Sequence, residues 1–110
     1  MSVYKVWHEL RNSFPKKSRY TLGAKIEILF LETLEFLFIA ATVSRIQKYP
    51  VLQKASGKLD LLKFFLQLAW DTKALDNRKY IVLSESLNEV GKMLGGWMRS
   101  TEKETPAQQH

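Results

Sequence analysis

The stretch VLQKASGKLDLLKFFLQLAWDTKAL, residues 51–75, decides the fold. Wound as a helix at about 100° per residue, it separates into three bands. Gln53, Ser56, Asp60, Lys63, Gln67, Asp71 and Ala74 form a strip about 80–100° wide. Leu52, Ala55, Leu59, Leu62, Leu66, Ala69 and Trp70 form one apolar face, and Leu61, Phe64, Phe65 and Leu68 form another. Apolar surface over roughly two-thirds of the circumference is more than one side of a small bundle needs. Either this helix is central, or its second face meets another subunit. A chain of 110 residues has little room for a fully surrounded helix. Oligomerisation is therefore expected, with Leu61, Phe65 and Leu68 at the interface.

Working outward, turn residues fall near 14–18 (Phe14-Pro15-Lys16-Lys17-Ser18), 48–51 (around Tyr49-Pro50) and 75–77, and again in the tail around Pro106. Each X-Pro step disfavours helix in the residue before it. Four helices are predicted between them, over about 2–13, 19–48, 51–75 and 77–99. Few β-branched residues alternate at period two, so no strands are expected and the fold is all-α. The second segment places Leu22, Ile26, Leu29, Thr33, Leu37 and Ala40 on one face. The fourth does the same with Tyr80, Leu83, Leu87, Val90, Leu94 and Trp97. Ser18 and Asp76 are the expected N-caps. Residues 1–99 read as one domain, and 100–110 as a polar tail expected to be disordered.

Composition removes several classes of function. There are no cysteines and two histidines, His8 and His110, so thiol chemistry, zinc–thiolate sites and multi-imidazole metal sites are excluded. No run of about 18 apolar residues is free of charge, which argues against a spanning helix. MSVYKVWHEL lacks a signal-peptide apolar run, so a cytoplasmic location without membrane contact is expected. The net charge is +6, of which residues 1–19 carry +4, residues 20–50 carry none, and residues 51–76 and 77–110 carry +1 each. A basic excess favours polyanions, although it also simply keeps a small protein soluble.

No catalytic constellation emerges. Glu32 and Glu35 lie one turn apart, but a carboxylate-bridged metal site in a bundle wants Glu-x-x-His pairs and none is present. They read as surface or salt-bridging glutamates. Trp7, Trp70 and Trp97 read as packing residues and His8 as a surface histidine. Gly91 and Gly95, with Gly96 beside them, cost about 0.8–1 kcal/mol each inside a helix. Close approach of another helix is the simplest compensation. Neither a metal nor a cofactor is expected. The remaining chemistry is basic: Lys58, Lys63, Lys73, Arg78, Lys79, Lys92 and Arg99, with Arg19 in a weaker group near Pro15. Five copies at +6 each would carry about +30, a field that holds phosphates without reading sequence.

Several segments in order resemble a known family: Phe14-Pro15-Lys16, Ser18-Arg19-Tyr20-Thr21-Leu22-Gly23, Leu59-Asp60-Leu61-Leu62-Lys63-Phe64-Phe65-Leu66, Leu75-Asp76-Asn77-Arg78-Lys79-Tyr80 and Val90-Gly91-Lys92-Met93-Leu94-Gly95-Gly96-Trp97. Over about residues 12–100 the chain is similar to the four-helix-bundle family of accessory variability determinant (Avd) proteins of diversity-generating retroelements. Proteins encoded in intervening sequences of bacterial 23S ribosomal RNA share that fold. The Gly-Gly-Trp ending and the Leu-Asp-Asn junction lean toward the retroelement branch, while the short first helix departs from the pattern. The resemblance implies an up-down four-helix-bundle protomer in a ring-like, barrel-shaped homopentamer. It implies no enzyme. It also implies binding of the retroelement reverse transcriptase and of RNA and DNA with weak sequence selectivity, in support of mutagenic retrohoming. The competing readings are an intervening-sequence protein with an RNA-binding role and a purely structural oligomer.

Overall fold

The computed structural model describes residues 2–11, 14–16 and 19–103. Four α-helices occur among them: α1 (Ser2–Arg11), α2 (Ala24–Thr42), α3 (Arg45–Asp71) and α4 (Asn77–Lys103). A π-helical turn, Arg19–Gly23, runs into α2 without a break, and Gly23 is itself helical. The expected cap Ser18 lies outside the described residues, as does the tail from residue 104. The described residues contain no strand.

α3 is the helix around which the bundle is built. It packs most extensively on α2 and next on α4, while α1 lies against α4. The bundle measures 49 × 22 × 20 Å, and its core runs along this length. The centres of the expected faces are buried: Ile26, Leu29 and Ala40 on α2, Leu52, Ala55, Leu59, Leu62, Leu66 and Ala69 on α3, and Leu83, Leu87 and Leu94 on α4. Leu22, Leu37, Tyr80, Val90 and Trp97 are half-buried at their edges, and Trp70, expected on the inner face of α3, is 37% exposed at its last turn. Thr33 keeps its hydroxyl inside by donating to the Leu29 carbonyl at 2.7 Å. α1 adds Trp7, fully buried, whose ring stacks on Phe30 at 5.7 Å and meets Phe14 edge-on at 5.4 Å.

Three boundaries differ from the sequence expectation, each for a physical reason. The second helix was expected to reach residue 48 and the third to start at 51. The chain instead turns at Val43–Ser44, both extended (ψ 168° and 161°), and Pro50 lies inside α3. Early in a helix several N–H groups have no intrahelical acceptor anyway. An exposed proline one turn further in forfeits a single bond and is tolerated.

The third helix was expected to reach residue 75 but ends at Asp71. Lys73 N–H donates to the Trp70 carbonyl (3.0 Å) and Ala74 N–H to the Ala69 carbonyl (2.8 Å), a Schellman stop. It requires a left-handed residue, and Lys73 takes it at φ 64°. Ala74 therefore leaves the polar strip and is buried under the turn. The fourth helix was expected to end at 99 but continues to Lys103, because Thr101 extends the buried stripe of Leu83, Leu87 and Leu94. Residues 100–103 thus belong to the bundle rather than the tail. As expected, Asp76 caps α4: its carboxylate accepts from the Lys79 N–H at 2.9 Å.

Candidate interaction surfaces

The basic residues singled out in the sequence do not form one patch. Lys63 and Lys92 line the groove between α3 and α4, and Arg99 lies over Gly95 at its end. This groove is lined by Ser56, Asp60, Asn88, Gly91 and Gly95, with Gln67, Tyr80 and Ser84 toward its other end. Lys73, Arg78 and Lys79 lie at the α3–α4 turn together with Asp76. Lys58 is on the opposite side of α3, at the seam with α2. The side chain of Arg19 lies outside the described residues.

Two of these cations are committed within the chain. Lys58 Nζ is 3.4 Å from Glu32 Oε1, and Lys79 Nζ is 3.6 Å from Asp76 Oδ2. The backbone N–H of Lys79, with the Lys79 ammonium and the Arg78 N–H adding to it, holds the Asp76 carboxyl below the ordinary aspartate range. Lys63 is half-buried, whereas Lys73, Arg78, Lys92 and Arg99 are exposed. Glu32 is a salt-bridging glutamate, as read from the sequence, and Glu35 is exposed.

The glycines divide. A Cβ on Gly91 would lie 3.3 Å from Lys63 Nζ and 3.6 Å from Leu59 Cδ2, so this position does face α3 closely. A Cβ on Gly95 would meet only Arg99 of its own helix, at 3.5 Å. The close contact expected at Gly95 is not made within the chain.

The second apolar face of α3 is open. Leu61 is 39% and Phe64 57% exposed, while Leu68 is half-buried. Phe65 is half-buried too, packed on the core with the Lys25 ammonium 5.8 Å from its ring centroid. Phe64, not Phe65, is the outward aromatic.

Sequence reasoning missed two features. One is a second apolar stripe on α2, formed by Ile28, Leu31, Phe38 and Ile39 around Glu35. Its signal was present in the near-continuous apolar run ILFLETLEFLFIA, residues 28–40. The other is the clasp at the α3–α4 turn. The Trp70 indole N–H donates to Asn77 Oδ1 at 2.5 Å, and its ring stacks on Tyr80 at 4.6 Å and 5°.

Among the described residues no three His, Cys, Asp or Glu side chains gather as a metal site, and no helix is long and apolar enough to cross a membrane. The class defined by this architecture is an all-α bundle whose distinctive surfaces are apolar stripes and a polar groove. The chain belongs to the bAvd-like family, whose model matches residues 2–101, and this makes it an Avd-related accessory protein. The resemblance read from residues 12–100 is thereby borne out. No curated protein and no solved structure matches the chain.

Proposed function

We propose that the protein is the non-enzymatic accessory subunit of a diversity-generating retroelement. In this reading it binds the reverse transcriptase and nucleic acid, template RNA and cDNA, and so supports mutagenic retrohoming. Family membership over residues 2–101 carries the reading. The working form is a ring-like homopentamer, supported by the uncovered apolar surface at Leu61 and Phe64. Repetition around a ring turns a scatter of lysines and arginines into a field that attracts phosphates without selecting sequence.

Within each copy the α3–α4 groove is the best-supplied phosphate track. Lys63 and Lys92 line it, Arg99 lies over Gly95 at its end, and none of the three is ion-paired among the described residues. Lys73 and Arg78 extend the supply at the turn, and Lys58 and Lys79 contribute less because each is held by a carboxylate. The experiment is a titration of RNA and of DNA at several salt concentrations. Log affinity is expected to fall linearly with log salt. No binding of either polymer at low salt would remove the nucleic-acid half of the reading.

A further inference from the structure

α2 has two opposite apolar faces, separated by Lys25 and Glu32 on one flank and by Glu27 on the other. Its inner face fills the core, while outside it Ile28, Leu31, Phe38 and Ile39 are 50%, 42%, 70% and 38% exposed. An exposed apolar stripe opposite a buried one marks an interaction surface. We propose that this outer face of α2 docks on the outer face of α3 of a second copy of the chain, head to tail. The contact repeats around a closed ring and leaves no α2 or α3 stripe exposed. The inference rests on the ring reading above and supplies the missing half of its interface.

Height along the bundle selects this pairing. The Lys25–Phe65 cation–π contact and the Glu32–Lys58 ion pair fix the antiparallel register of α2 on α3. That register places Glu35 level with Lys54 and Ala55, and Ile28 and Leu31 level with residues 59–62. When a ring axis runs along the bundle, rotation from one copy to the next leaves height unchanged. Glu35 of one copy then comes opposite Lys54 of the next, and Ile28 and Leu31 come opposite Leu61.

Charge and shape agree. Glu35 and Lys54 are both exposed and make no ion pair among the described residues. By helical position Glu35 falls in the middle of the α2 stripe and Lys54 beside Leu61 in the α3 stripe. Gly57 lies on the same outer side of α3, and a Cβ there would meet nothing within 4 Å. It is a notch level with Thr33, between the heights of Leu31 and Glu35. The outer face of α4 is the weaker counterpart. Ile81, Val82 and Met93 share the outward side of that helix with four exposed charged residues, Arg78, Glu85, Glu89 and Lys92, so this face is less apolar than the α3 stripe. A contact of α2 with its own copy would use one patch twice and stop at a dimer.

The test uses two single variants of the full chain, Phe38→Glu on the α2 stripe and Phe64→Glu on the α3 stripe. Both replace exposed side chains, and circular dichroism confirms their folding. Sedimentation velocity is expected to show a ring for the unaltered protein and monomers for each variant alone. Mixed one to one, the two variants are expected to form a heterodimer, because the intact α2 face of one still fits the intact α3 face of the other. A mixture that stays monomeric, or a single variant that still forms the ring, overturns the head-to-tail pairing while leaving ring formation intact. A monomeric unaltered protein overturns ring formation itself and the pairing with it. Independently, Glu35→Lys and Lys54→Glu should each weaken assembly and their combination should restore it. Failure of that rescue overturns the register.

Discussion

The Asp76 carboxylate accepts a hydrogen bond from the backbone N–H of Lys79 at 2.9 Å, and the Lys79 ammonium stands 3.6 Å from its other oxygen. One aspartate thus closes the N-terminus of α4 and restrains a lysine that sequence reasoning assigned to phosphate binding. Asp76→Ala is expected to lower stability, as loss of an N-cap typically does. Chemical denaturation of the two proteins at neutral pH measures the difference.

The same contact sets a pH dependence. The carboxyl is held below its ordinary value of 3.8 in the folded chain, chiefly by the Lys79 N–H. Its stabilising effect is complete above that ordinary value and disappears as pH falls through the lower folded value. Acid titration of stability should therefore be shallower below pH 3.8 in Asp76→Ala than in the unaltered protein. Parallel curves would show that the cap does not titrate.

Glycine substitutions on α4 should follow the space around each position. Gly95→Ala adds a Cβ that meets only the flexible end of Arg99, so helix propensity acts unopposed and stability should rise by about 0.8–1 kcal/mol. Gly91→Ala brings its Cβ within 3.3 Å of the Lys63 ammonium, which must give slightly, and should gain less. Thermal melts of the dissociated protein rank the two. The close helix approach expected at Gly95 has no neighbouring helix within the chain to make it.

Lys73 occupies the left-handed position of the Schellman stop, where an L-residue is disfavoured by about 1–2 kcal/mol. Lys73→Gly should relieve part of this and raise the melting temperature, whereas Lys73→Val should lower it. If neither substitution moves the melt, the turn is not held in that conformation.

These cases show what the letters reveal. Apolar spacing exposed the buried faces of α2, α3 and α4 because burial imposes its period on the sequence. Pro50 misled because proline breaks a helix interior but is accepted near a start, and spacing alone does not say where the start is. The end of α3 was hidden because its left-handed residue is a lysine rather than a glycine. On α2 the stronger stripe, Ile26 to Ala40, masked a second one on the opposite side. Among the candidate site residues, the ion pairs of Lys58 and Lys79 were invisible because their partners come from another helix and from a cap.

Charge reversal tests how the basic residues share the work. Lys63→Glu, Lys92→Glu and Arg99→Glu combined should flatten the salt dependence of RNA binding by roughly one unit per lost phosphate contact. Lys58→Glu should matter less, because Lys58 already faces Glu32. Equal slopes for the triple variant and the unaltered protein would move the nucleic-acid surface away from the α3–α4 groove.

The central claim is that this bundle is a retroelement accessory subunit, and its most direct test is capture of the polymerase. The purified protein is mixed with the reverse transcriptase encoded in the same element, and the mixture is analysed by sedimentation with and without ribonuclease. A complex carrying both proteins is expected, and it should remain after the RNA is digested. Separate sedimentation of the two proteins, with RNA present as well as absent, would contradict it.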